Sequence, residues 1–188
     1  NKPLFFNNQF QKNLSILKQK SNFSSLGYFT EKCKNWLAHN LNCKNVFLVH
    51  SCTAALEMTA LLLKIKKDDE IIMPSYTFVS SANAFALRGG KPVFVDTCSN
   101  NCNIDPSKIE ASITKRTKAI LVVHYAGFSC DMDEILKIAK KYKLFVVEDA
   151  AHSILSTYKN RKLGSMGDFA TISFHETKNI HCGQGGAL

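Results

Sequence analysis

No apolar run in this sequence approaches the roughly 20 residues a helix needs to cross a bilayer. The opening residues also lack the basic-then-apolar order of a secretory signal. The expectation is a cytoplasmic protein with no membrane role, its start trimmed, since Asn1 stands where a Met would. The seven cysteines are odd in number and scattered, with no Cys-x-x-Cys among them. Cys98 and Cys102 lie four apart, but no second pair completes a zinc site, so reduced thiols and no metal are expected. Neither Gly-x-Gly-x-x-Gly nor Gly-x-x-x-x-Gly-Lys-Ser/Thr occurs, which removes the dinucleotide fingerprint and the P-loop. Acidic residues are short, 15 Asp and Glu against 24 Lys and Arg, for a net charge of +9. Such an excess invites a nucleic-acid partner. The lysines, however, follow helical spacing (Lys64, Lys66, Lys67; Lys137, Lys140, Lys141, Lys143) without interleaved aromatics, and no nucleic-acid motif is present. They read as solvated helix faces whose field suits an anionic small molecule. No repeat, linker or low-complexity stretch divides the 188 residues, and a 45% hydrophobic fraction supports one domain with a core.

What is there is an alternation of strand and helix patterns. Two helices, about Phe10–Lys18 and Phe29–His39, come first. Strands follow at Val46–Val49, Glu70–Met73 (stopped by Pro74), Pro92–Asp96, Ala119–Val123, Leu144–Val147 and Phe169–Ile172. Between them lie helices at Ala54–Lys64, Ser81–Leu87, about Pro106–Ile113 and Met132–Tyr142. Continuous apolar strands separated by helices predict an α/β three-layer sandwich with a mainly parallel sheet. Ser51–Thr53, Ser75–Phe78, Asp96, His124–Tyr125 and Glu148–Asp149 all fall at carboxyl ends of strands, the edge where open parallel sheets bind ligands.

Three features at that edge carry chemistry. Lys178, in Ser173-Phe174-His175-Glu176-Thr177-Lys178-Asn179, sits where the last strand gives way to a loop ahead of Gly183-Gln184-Gly185-Gly186. It is either a solvated loop lysine or, if easily deprotonated, a Schiff-base former, with the Ser173 hydroxyl available to a phosphate. Ser51-Cys52-Thr53-Ala54 opens a helix, as an ordinary N-cap or as a phosphate site built from hydroxyls and free N–H groups. Asp149, after four apolar residues, is an ion-pair or capping carboxylate, or the partner of a protonated pyridine nitrogen. A lysine, an acid and a helix N-terminus together are the protein's share of pyridoxal-phosphate chemistry.

The motifs Ser51–Met58, Met73–Ser80, Val123–Gly127, Val147–His152 and Ser173–Asn179 resemble, in order and spacing, those of the DegT/DnrJ-type sugar aminotransferases. The resemblance runs over nearly the whole chain and implies the fold-type I, pyridoxal-phosphate-dependent large domain. It implies Lys178 as the catalytic lysine that carries the cofactor and Asp149 as the partner of its ring nitrogen. Phosphate contacts would come from Thr53, from the backbone of Cys52 and Ala54, and from Ser173. Phe78 would stack on the ring and His152 would lie beside its hydroxyl. The implied partners are glutamate as amino donor, a nucleotide-sugar substrate and a second copy of the chain in a homodimer. The second and last motifs look most like members that aminate C4 of a dTDP-linked 4-keto-6-deoxyhexose for cell-surface polysaccharide, with UDP-linked 4-keto sugars as the alternative. Dehydrating relatives replace the lysine with His, which Lys178 argues against. Two departures are visible: Gln184 stands where the family usually has Glu, and the chain ends at about half the family's length. Residues 1–188 are thus expected to comprise the N-terminal and large cofactor-binding domain, incomplete, without the small C-terminal domain. A non-catalytic α/β remnant is the reading from another class.

Overall fold

Four apolar stretches, each flanked by turn residues, pair side by side and set the frame for everything else. The computed structural model describes residues 7–20 and 26–188. Helices α1 (Asn7–Lys20) and α2 (Tyr28–Leu41) lead into the short strand β1 (Leu48–Val49) and helix α3 (Cys52–Leu62). Then come β2 (Glu70–Pro74), α4 (Val79–Ala86), β3 (Lys91–Val95), β4 (Thr117–Val123), α5 (Met132–Tyr142) and β5 (Phe145–Asp149). The two-residue strands β6 (Thr157–Tyr158) and β7 (Arg161–Lys162) form a separate antiparallel ribbon, followed by β8 (Phe169–Ser173) and β9 (Gly186–Ala187).

The main sheet has seven strands in the order β1-β9-β8-β5-β4-β2-β3. β3, β2, β4, β5 and β8 pair in parallel, while β9 runs antiparallel to both neighbours. Side chains alternate across the sheet with period two. Ile71, Met73, Ala119, Leu121, Val123 and Val147 accordingly pack one face, against Leu56, Ala60 and Leu63 at the α3 end and Ala84 and Phe85 of α4. Ile72, Ile120, Val122 and Val146 pack the other, against Met132, Ile135, Ile138 and Ala139 of α5. α2 adds Leu37 and Leu41 over Ile172 and Ala187 at the β8–β9 end. This is the expected three-layer arrangement of helices on both faces of a mainly parallel sheet.

Two local readings needed correction. The stretch Pro106–Ile113 is two 3-10 turns, Pro106–Lys108 and Glu110–Ser112, rather than a helix. Asp105 caps the first, its Oδ1 accepting from the Ser107 N–H (3.0 Å) and hydroxyl (2.7 Å), a local bonding pattern that competes with continued α-helix. β1 keeps only two of its four expected residues, because its partner β9 is itself two residues long. β9 and the β6–β7 ribbon show no alternating run in the sequence, and they form through tertiary pairing.

Candidate functional site

The alternation that builds the two cores also sorts the polar residues at the carboxyl ends of the strands. Asp149 has the parity of Val147 and faces the α3–α4 side; Glu148 has the parity of Val146 and faces the α5 side. On the α3–α4 side lies a cleft of about 650 Å³, within the usual size range of ligand sites. Cys52, Thr53, Phe78, Asp149, His152, Ser173 and Lys178 all line it, so seven of the eight expected site residues share one cavity. Ala54, the eighth, is buried one turn into α3.

α3 brings its N-terminus to the cleft floor. Ser51 is its N-cap, and its Oγ accepts from the Ala54 N–H at 3.1 Å. The capping reading of this segment is borne out. Cys52 and Thr53 line the cavity, and their N–H groups, in the first turn of α3, have no intrahelical acceptor. The Ala54 N–H reaches an anion only by leaving its cap. Thr53 Oγ1 and Ser80 Oγ are 2.8 Å apart, and the Ser173 hydroxyl oxygen accepts from the His175 N–H (3.3 Å), leaving its own proton to donate. Burial, with Asp149 next in weight, pushes the Cys52 thiol up to about 12, which removes it as a nucleophile.

The glycine run has a steric purpose. A Cβ on Gly186 would stand 2.4 Å from the carbonyl carbon of Ser51, so only glycine lets β9 press against the cap of α3. Across that contact, β8 and β9 hold the connection that carries Lys178. Phe174 N–H donates to Gly185 O (2.8 Å), Glu176 N–H to Gly183 O (3.0 Å) and Lys178 N–H to His175 O (2.9 Å). The lysine thus sits on a pinned turn.

Asp149 is almost wholly buried, and its direct hydrogen bonds come from neutral groups. Ser81 Oγ donates to Oδ2 at 2.8 Å and the Ala151 N–H to Oδ1 at 3.2 Å. Burial raises its carboxyl above the ordinary range, while Ser81, Ala151 and the charges of His152 and Lys178 pull the other way. A carboxylate placed so, at the bottom of a cleft, calls for a further cation from whatever fills the cavity. His152 is lowered by burial first, then by Lys178, with Asp149 opposing. Its Nδ1 accepts from the Ala126 N–H at 3.2 Å, which puts the proton of the neutral ring on Nε2. Tyr125 lies edge-on to His152 (5.4 Å between ring centres) and edge-on to Tyr76 (4.9 Å) at the cleft mouth.

Other strand-end residues do not serve this cleft. Asp96 is exposed and paired with Lys108 Nζ at 3.1 Å. His124 and Glu148 are fully buried on the opposite face, 2.9 Å apart, with Glu148 also accepting the N–H groups of Gly164, Met166 and Gly167. They belong to the scaffold. In turn, Thr77, Ser80 and Ser81 matter more than the sequence suggested. α4 begins at Val79, two residues before the expected Ser81, and this places both serines on its first turn beside Thr53 and Asp149.

Sheet order, helix layers and cleft position define the class: this is the fold of the fold-type I pyridoxal-phosphate transferases. The chain belongs to the DegT/DnrJ/EryC1/StrS aminotransferase family, whose profile matches residues 6–188. It is similar to the spore coat polysaccharide biosynthesis protein SpsC of Bacillus subtilis, 42% identical over 99% of this chain and 47% of SpsC. It is also similar to the GDP-perosamine synthase of Caulobacter vibrioides, 41% identical over 88% of this chain and 44% of that protein. Among solved structures, NtdA from Bacillus subtilis, with bound cofactor PMP, superposes with a TM-score of 0.86 at 36% identity, covering 97% of this chain and 42% of NtdA. The chain therefore spans about half the length of the curated relatives it matches.

Proposed function

We propose that this chain is the cofactor-binding part of a pyridoxal-phosphate-dependent aminotransferase. In its full-length form it moves an amino group from glutamate to the 4-keto carbon of a nucleotide-linked 4-keto-6-deoxyhexose for cell-surface polysaccharide. The observation that carries this reading is the convergence of Lys178, Asp149, Ser173 and the N-terminus of α3 on one cleft. Family membership and the name of the GDP-perosamine synthase, with its nucleotide-linked sugar, support the substrate class. Motif likeness favours a dTDP-sugar, in the manner of dTDP-4-amino-4,6-dideoxygalactose transaminase. His152 with the Lys178-Asn179-Ile180 run keeps a UDP-sugar as second reading.

The residues fit the cofactor in charge and in shape. The buried end of the cleft at Asp149, where only neutral groups hydrogen-bond the carboxyl, suits a protonated ring nitrogen, and the α3 end suits a phosphate. When bound, pyridoxal phosphate supplies the reactive aldehyde carbon and a ring that takes up an electron pair. Lys178 would hold the group at its aldehyde end, and its Nζ would be the acid–base group there. Asp149 would hold the proton on the ring nitrogen. Thr53, Ser173 and the N–H groups of Cys52 and Thr53 would hold the phosphate, Phe78 would cover the ring, and His152 Nε2–H would be available to its hydroxyl.

The working unit is a cytoplasmic homodimer of the longer protein, with a small C-terminal domain following the part described here. All seven cysteines are free, in keeping with a reducing compartment. Among the described residues no helix is long and apolar enough to cross a membrane.

The test is to load the full-length protein with pyridoxal phosphate, reduce it with borohydride and map the labelled peptide. Label is expected on Lys178. Label on another lysine, or equal label in Lys178→Ala, overturns the assignment and leaves the non-catalytic reading. A coupled assay with glutamate and dTDP-, UDP- or GDP-linked 4-keto sugars then separates the substrate readings.

A further inference from the structure

From Thr77 on the cleft wall, a short chain of hydroxyls runs through the buried Ser81 to Asp149. Thr77 Oγ1 donates to Ser81 Oγ at 2.8 Å, and Ser81 Oγ donates to Asp149 Oδ2 at 2.8 Å. Ser81 is fully buried and Asp149 nearly so. A hydroxyl has a single proton to give. With Thr77 donating into the Ser81 oxygen, the Ser81 proton is committed to the carboxylate, and each bond polarises the next. The relay is assembled locally. Thr77 closes the turn after β2, and Ser81 lies on the first turn of α4, its N–H donating to Phe78 O at 3.0 Å. Its neighbour Ser80 points elsewhere, to Thr53.

We propose that Thr77 and Ser81 form a hydroxyl relay that positions Asp149 and holds it as the ionised carboxylate the cleft requires. The groups facing Asp149 from the surrounding elements are Cys52 on α3, Ser81 on α4, the Ala151 N–H and His152 after β5, and Lys178 on the β8–β9 connection. Two of these, Lys178 and His152, act through space across the cleft, where a bound molecule intervenes. Ser81 acts from the sealed side, so its contribution persists whether or not the cleft is filled. Ser81 is therefore a positioning residue: it touches Asp149 and not the cavity. The consequence for catalysis rests on the proposed function, since the ionised Asp149 is what keeps a ring nitrogen protonated. The relay itself is read without any cofactor.

The experiment follows the carboxyl carbon of Asp149 by NMR in the cofactor-free, full-length protein labelled at aspartate, with Asp149→Asn identifying the signal. Ser81→Ala is expected to move the Asp149 titration midpoint upward by roughly one to two pH units, the size of a lost hydrogen bond to a charged group. Thr77→Val is expected to move it less, in the same direction. Ser81→Cys, a near-isosteric weaker donor, should fall between wild type and Ser81→Ala, which separates donation from packing. Ser80→Ala, whose partner is Thr53, should leave the midpoint where it is. An unmoved midpoint in Ser81→Ala, or an equal shift in Ser80→Ala, overturns the relay. Failure of borohydride labelling at Lys178 removes the cofactor reading instead, and the two results are independent.

Discussion

Burial holds the Asp149 carboxyl above its ordinary value of 3.8, so the folded chain binds more protons at this site than the unfolded one between that value and the folded midpoint. The stability it contributes is whole below the window and is lost as pH rises through it. Asp149→Asn keeps the shape and removes the charge. It is expected to raise the melting temperature of the cofactor-free protein at neutral pH by on the order of a few degrees. The gain should shrink toward zero below pH 3.8, which a calorimetric series across pH checks. If Asp149 serves the proposed chemistry, it does so at a cost in stability. His152 runs on the same side of the ledger. Its folded value lies below the ordinary 6.5, mainly through burial and then Lys178, so stability declines as pH falls from 6.5 toward the folded midpoint. NMR titration should place the imidazole midpoint below 6.5, and Lys178→Ala, by removing a cation, should raise it. The same substitution should lower aminotransfer by roughly 10²–10⁴-fold or more, the range for losing a positioned acid–base group.

At the scale of elements, two contacts decide whether the cleft is assembled. The first is β9 against the cap of α3. Gly186→Ala forces a methyl group onto the Ser51 backbone, and backbone on both sides leaves no flexible side chain to yield. A loss of about 1–3 kcal/mol in urea unfolding is expected, the cost of overpacking. A loosened Lys178 turn should accompany it, read as faster amide exchange at Lys178. The second is Glu148, which joins β5 to the β4 end through His124 and to the loop before β8 through the Gly164, Met166 and Gly167 N–H groups. Burial disfavours its charge, yet His124 first and then the Gly167 and Gly164 N–H groups hold it below the ordinary carboxylate range. The stabilisation is present above pH 4.5 and lost on acidification. Glu148→Ala orphans these donors and should cost about 3–5 kcal/mol, measurable by denaturant titration. Retained stability would mean that water replaces the carboxylate.

For the whole molecule, the mouth of the cleft leaves large aromatics in solvent: Phe78 is 72% and Tyr76 50% exposed, with Phe128 nearby in the chain segment after Tyr125 at 70%. A second copy covering this rim would complete a shared site, in line with the proposed homodimer. Light scattering on the full-length protein is expected to give twice the monomer mass. A monomer that still turns over substrate would remove the shared-site element of the proposal.

Much of this was legible in the residues alone. The continuous apolar runs of β2, β4 and β5 announced buried parallel strands, and Met132, Ile135, Ile138 and Ala139 announced the inner face of α5. The order of Thr53, Asp149, Ser173 and Lys178 along the chain pointed to one ligand edge, because a parallel sheet delivers successive strand ends to the same side. What the sequence alone left open was the face. Glu148 and Asp149 are adjacent acids of the same local pattern, and period-two alternation sends them to opposite sides of the sheet. Only the packing of α3 and α4 determines which side holds the cleft, so that Asp149 lines it and Glu148 is buried on the far face. The two-residue β9 carries no pattern at all. It exists because Gly186 fits against the Ser51 backbone, a contact between segments more than a hundred residues apart that no local propensity encodes.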